Sequence, residues 1–202
     1  MWQGDDVTVL ENGERTAVDR PRIVPARLAH VVLRTQQFDA IFAWWRNVLQ
    51  ADVVFENGFI GFLTFDDEHH RIAVVQPRDI DGPTRNGAGL DHISFTYACL
   101  ADLVATYERL AAEGVRPAWV VNHGPTLSMY YADPDGNQAE LQVDRFATTD
   151  EATAFLQSPA FANHPVGHSV DFDDLVRRFH AGEDERALLA YKYDHENDGA
   201  TQ

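Results

Sequence analysis

Ala29-His30-Val31-Val32-Leu33 and Asp91-His92-Ile93-Ser94-Phe95 stand 62 residues apart and carry the same pattern, a histidine followed by alternating apolar positions. Each reads as a short strand whose side chains alternate between two faces. The offset persists into the next segment. Phe38, Ile41, Phe42, Trp45 and Val48 correspond to Leu100, Leu103, Val104, Tyr107 and Leu110. That spacing places five apolar side chains on one stripe of a helix in each copy. Strand-like segments follow both helices: Asp52–Glu56, Phe59–Phe65 and Arg71–Gln76 in the first copy, Ala118–Asn122, Leu127–Ala132 and Gln138–Val143 in the second. The chain therefore reads as an internal duplication of a strand, a helix and three strands. The fold class this predicts is α+β, with two tandem βαβββ modules.

The segments around the duplication set the expected boundaries. An acidic arm covers 1–26, the modules cover 27–78 and 90–146 of one domain, and a helical extension with a polar tail covers 147–202. Structure is expected to begin near Arg27. The linker from Pro77 to Gly89 is rich in glycine and proline, as a surface connection should be. In the extension, Thr149-Asp150-Glu151 reads as a helix start leading to Ala154 and Phe155. Asn163-His164-Pro165 and Gly167 read as a turn. Asp173 to His180 reads as a second helix with Leu175, Val176 and Phe179 on one side.

Composition narrows the partners. The chain has 202 residues and a formal charge of −16, and 45% of its residues are hydrophobic, enough for a packed core. A body so acidic is repelled by nucleic acid and by anionic membranes. The single cysteine, Cys99, cannot form an intrachain disulfide, which points to a reducing cytoplasm. No apolar run is long enough to span a bilayer. Met1 to Glu14 carries four acids before the first arginine and no apolar stretch, so it does not read as a secretory signal.

The candidate chemistry follows from location. His30 and His92 occupy equivalent places in the two copies, where a two-fold repeat can bring them toward its axis. Glu140 lies between Ala139 and Leu141 in a predicted core strand. A carboxylate there is costly unless it is paired or bound to a metal. Two imidazoles and a carboxylate suit a non-haem Fe(II) centre with open positions. Arg71 is the rival partner for Glu140, in an ordinary buried ion pair, and both histidines also read as hydrogen-bonded core residues. Aligning the last strands of the two copies at an offset of 67 sets Ala73 opposite Glu140. The first copy therefore offers no fourth ligand.

Val121-Asn122-His123, then Met129-Tyr130, then Asp133-Pro134-Asp135-Gly136 and Glu140 together resemble the signature of type I extradiol ring-cleavage dioxygenases. Those belong to the vicinal oxygen chelate superfamily, which also holds glyoxalase I and bleomycin-binding proteins. The resemblance covers about Arg27 to Val143. It implies a half-open barrel of two modules, with His30, His92 and Glu140 as ligands of Fe(II), a set that also accepts Mn(II). It makes His70 the acid–base histidine, His123 the histidine that hydrogen-bonds substrate, and Tyr130 the contact to the substrate oxygen. The implied reaction inserts both atoms of O2 into a mono- or bicyclic catechol and opens the ring beside the diol. Many family members carry a further N-terminal two-module domain, and this chain looks like a one-domain member.

His69, His164 and His168 read as surface or pocket-edge residues, and Trp44 and Trp45 as helix core and shoulder. A homo-oligomer is expected on base rates. Two other classes stay open: a metal-dependent isomerase or epimerase of the glyoxalase kind, and a non-catalytic binding protein of the drug-sequestering kind.

Overall fold

The computed structural model describes residues 23–82 and 87–195. The expected acidic arm, up to residue 22, part of the linker (83–86) and the end of the expected tail (196–202) lie outside the described residues.

The first module runs β1 (Val31–Arg34), α1 (Phe38–Leu49), β2 (Asp52–Glu56), β3 (Ile60–Thr64) and β4 (Ile72–Val75). The second runs β5 (His92–Tyr97), α2 (Leu100–Ala112), β6 (Trp119–Asn122), β7 (Thr126–Ala132) and β8 (Gln138–Asp144). Their sheets have the orders β1-β4-β3-β2 and β5-β8-β7-β6-β9, where β9 (His168–Ser169) comes from the extension. The first and last strands of each module pair in parallel, and the remaining pairs are antiparallel. The architecture is thus α+β, two βαβββ modules in two mixed sheets that do not close into a barrel.

The register supports the duplication residue by residue. Val31 pairs with Ile72 and Val32 with Ala73, while Ile93 pairs with Ala139 and Ser94 with Glu140. Both expected offsets, 62 and 67, hold in one pair of ladders, so Ala73 does occupy the place of Glu140. His30 falls just before β1, whereas its counterpart His92 is the first residue of β5.

The helix stripes bury as expected. All five positions of α1 and all five of α2 are in the core, and α2 adds Thr106. α1 stops at Gln50, whose left-handed conformation (φ 49°) turns the next amides back onto the carbonyls of Asn47 and Arg46. Val48 packs with the α2 core, and Ala139, Ile93 and Phe95 pack with the α1 core, so one apolar interior runs through both modules. Each fully buried Leu or Ile there contributes about 1.5–3 kcal/mol.

The close fit appears at Gly61 in β3. A Cβ at that position would lie 2.4 Å from the Phe42 ring and 3.0 Å from that of Phe38. Only glycine lets α1 approach the sheet this closely.

The extension contains α3 (Thr149–Leu156), α4 (Pro159–Asn163), β9, α5 (Phe172–His180) and α6 (Glu185–Leu188). Thr148 caps α3 through a capping box with Glu151. α5 buries Phe172 and Leu175 against the α2 core, with Val176 and Phe179 beside them. α4, α6 and β9 were not expected from the sequence. No helix among the described residues is long and apolar enough to cross a membrane.

Candidate active site

Strand alternation builds the site. On β5, Phe95 and Tyr97 turn toward the core under α2, as do Leu141 and Val143 on β8 and Leu127, Met129 and Tyr131 on β7. The intervening residues, His92, Glu140 and Tyr130 among them, therefore share the opposite face of the sheet.

There they meet. His92 Nε2 lies 2.9 Å from Glu140 Oε2, and His92 Nδ1 lies 2.7 Å from Asp91 Oδ2. The Tyr130 hydroxyl donates to Glu140 Oε1 at 2.9 Å. His123 Nε2 is 3.0 Å from the Tyr130 oxygen and 4.0 Å from Glu140 Oε1. The Glu140 side chain is only 6% exposed, against 32% for His92. Burial, followed by the charge of Glu140, holds the Tyr130 hydroxyl protonated well above the ordinary tyrosine range. Trp119 stacks on Tyr130 with ring centres 5.2 Å apart and meets His123 edge-on at 5.7 Å.

Arg71 is not the partner of Glu140. It forks onto Asp66, Nε lying 3.1 and 3.0 Å from its two oxygens, and donates to the carbonyls of Leu28 and Ala29. The buried carboxylate thus faces an imidazole and a phenol, with no guanidinium beside it among the described residues.

His30 and His70 form a second group. Their rings stack with centres 4.4 Å apart, and the other face of His70 lies on Phe62 at 4.6 Å. His70 Nδ1 is 2.6 Å from His69 Nδ1. Burial, then the neighbouring His30 and His69, pushes the His70 pKa down. His30 is itself exposed. A cavity of about 290 Å3 is lined by His30 and Val31 from the first module and by Ile93, Ser94 and Phe95 of β5 from the second. The start of β1 and the strand that bears His92 therefore share one cavity.

For a metal, the second module offers a prepared pair of donors. His92 is held by Asp91 through Nδ1, which leaves Nε2 directed at a buried carboxylate, the arrangement typical of an oriented metal-binding histidine. Among the described residues, however, no three His, Cys, Asp or Glu side chains are gathered closely enough to hold an ion.

The Asp-Pro-Asp-Gly run of the signature is architectural. Asp133, 4% exposed, accepts from the amides of Asp135 and Asn137 and from the Asn137 side chain, shaping the β7–β8 turn that feeds Glu140 into its strand. Of the weaker histidines, His69 is exposed and His164 stacks on Tyr193 at 3.6 Å. His168 departs from the surface expectation, since its Nδ1 is buried with no hydrogen-bond partner among the described residues.

Three contributors escaped the sequence reading. Asp91 precedes His92 directly, and its acidic type was the available signal. Trp119 opens β6 opposite Tyr130, a cross-strand position recoverable once the register is known. The Val166 carbonyl, 2.7 Å from His123 Nδ1, has no residue-type signature.

The sequence profile of the Glyoxalase/Bleomycin resistance protein/Dioxygenase superfamily matches residues 27–141, the two modules. Biphenyl-2,3-diol 1,2-dioxygenase 2 of Rhodococcus globerulus is 44% identical over 146 residues, 72% of this chain and 77% of that protein. Biphenyl-2,3-diol 1,2-dioxygenase 3 of the same organism is 42% identical over 167 residues, 82% of this chain and 88% of that protein. Among solved structures, a glyoxylase/bleomycin resistance protein/dioxygenase domain from Frankia sp. EAN1pec superposes with a TM-score of 0.51 at 20% identity, covering 62% of this chain and 96% of that one, a likeness of fold. On the profile match and on the identity shared with the two Rhodococcus proteins, this chain belongs to the Glyoxalase/Bleomycin resistance protein/Dioxygenase superfamily.

Proposed function

We propose that the chain is an extradiol dioxygenase, which inserts both atoms of O2 into a catechol-type aromatic and opens the ring next to the vicinal diol. The observation that supports this most is the joined group of His92, Glu140, Tyr130 and His123 on one sheet face, in a chain more than 40% identical to two biphenyl-2,3-diol 1,2-dioxygenases.

His92 and Glu140 would hold a catalytic metal, with His30, the register counterpart of His92, as third donor. Bound there, Fe(II), or Mn(II) on the same donors, supplies the charge that favours the catecholate and the one-electron chemistry that O2 requires. The residues do the remaining work. Asp91 fixes the ring of His92 so that Nε2 faces the site. His70, whose Nδ1 is turned to His69, takes the phenolic proton on Nε2 and later returns it. Tyr130 keeps its proton and would turn it from Glu140 to the developing oxyanion, while His123 orients the substrate through Nε2. Trp119 presents an aromatic wall that suits an aromatic ring and keeps water from it. A metal-dependent isomerase would want a fourth donor where Ala73 stands.

The direct test is anaerobic loading with Fe(II), addition of 2,3-dihydroxybiphenyl, and admission of air. Oxygen uptake with a yellow ring-opened product is expected. No uptake across a panel of mono- and bicyclic catechols would overturn the reading. The formal charge of −16 and the lone, unpaired Cys99 fit a small catechol-type aromatic partner in a reducing cytoplasm, without nucleic acid or membrane.

A further inference from the structure

We propose that Val166–Ser169 of the extension is a positioning element of the active site, holding His123 and Trp119 in the arrangement that catechol cleavage uses. The inference rests on the dioxygenase reading above.

The contact is a backbone one. Val166 O lies 2.7 Å from His123 Nδ1. A carbonyl oxygen can only accept, so Nδ1 must carry a hydrogen, and the ring is set with Nε2 toward Tyr130 and substrate. Without that carbonyl the ring is free to flip or to exchange tautomers.

The segment is fastened so that this carbonyl cannot drift. β9 pairs with β6 in antiparallel register, Ser169 against Val121 and His168 against Asn122. Val170 N donates to Val120 O at 3.2 Å. Gly167 adopts φ +89°, and a Cβ there would fall 2.1 Å from Asn122 O and 2.8 Å from His123 Cα. The chain passes so close to His123 that only glycine fits. Ser169 accepts a long hydrogen bond, 3.4 Å, from the Trp119 indole. On the other side, Asn122 donates to the carbonyls of Leu189 and Ala190 and accepts from Gly124 N, so the extension grips the residue before His123, and that residue in turn holds the one after it.

The first module makes the comparison. Its equivalent of β6 is β2, which stands at the edge of its sheet with no further strand beside it among the described residues. The fold therefore does not require a fifth strand. Where one is added, it lands beside the histidine that faces Glu140.

Gly167→Ala reads the effect. The variant should keep its metal content and far-ultraviolet spectrum, lose about 10- to 100-fold in kcat on 2,3-dihydroxybiphenyl, and change KM much less. In the His123→Ala background the same substitution should cost nothing further. An equal loss in both backgrounds would overturn the proposal, because the effect would then not pass through His123. A readout that needs no variant is nitrogen NMR of isotope-labelled histidine in the intact protein. A protonated His123 Nδ1 is expected, and a bare Nδ1 would overturn the proposal even if Gly167→Ala fails to fold. If the wild-type protein cleaves no catechol, the dioxygenase reading fails by itself, and the NMR result still decides whether Val166 holds His123.

Discussion

The indole N–H of Trp45 donates to Asp133 Oδ2 at 2.9 Å, tying the helix of the first module to the turn that precedes Glu140 in the second. Trp45 is fully buried and Asp133 nearly so. The contact links the two halves of the duplication at the place where the strand carrying the buried carboxylate begins. The Asp-Pro-Asp-Gly run is thus a structural support for the site.

Trp45→Phe should leave Asp133 Oδ2 short of one donor and open a small void. Both effects destabilise, together by about 1–3 kcal/mol. The urea midpoint should fall with an unchanged slope. An unchanged midpoint would mean that the link between modules contributes nothing.

Gly61→Ala should be worse tolerated than its size suggests. The added methyl would have to displace Phe42, which packs with Phe38 between α1 and β3. Overpacking of this kind costs about 1–3 kcal/mol. Thermal unfolding checks it, and a rise in Tm would show that the helix can lift without penalty.

Three of the six tyrosines set an alkaline limit. Burial raises the pKa of Tyr107, Tyr130 and Tyr131, with help from the nearby acids Asp173 and Glu140 in the first two. A raised folded pKa contributes stability that is complete below the unfolded value, and it is lost as pH climbs from there toward the folded one. Stability should hold up to roughly pH 10 and fall beyond it. The phenolate absorbance of these three should appear together with unfolding. Ionisation of all tyrosines in the folded protein would contradict this.

The parts that were legible in the sequence are those with local periodicity. The stripes of α1 and α2 and the bounds of β2 follow from spacing alone, and the duplication let each copy support the other. The parts that were not legible are short or long-range. β9 has two residues, and its partner strand lies almost fifty residues earlier, so no local pattern marks it. α4 and α6 span about one turn each, too short for a stripe. At the site, His92 beside Glu140 could be anticipated from type and strand parity. The Val166 carbonyl could not, because any residue supplies one. His30 shows a further limit: its register place is equivalent to that of His92, yet its ring stacks on His70, and equivalence in sequence does not fix a rotamer.

Tyr130→Phe removes the hydroxyl that joins His123 to Glu140. The variant should keep its metal and lose about 100-fold in kcat. A matched loss of metal would make Tyr130 a support of Glu140 and remove it from the substrate's surroundings.

The most direct test concerns Glu140 and His70 together, by anaerobic metal analysis after Fe(II) loading, with the wild-type protein holding about one ion per chain. Glu140→Ala should retain almost none, whereas His70→Ala should retain the full complement and lose turnover by about 100- to 10,000-fold. A Glu140→Ala protein that binds iron and cleaves catechol normally would contradict the account at its centre.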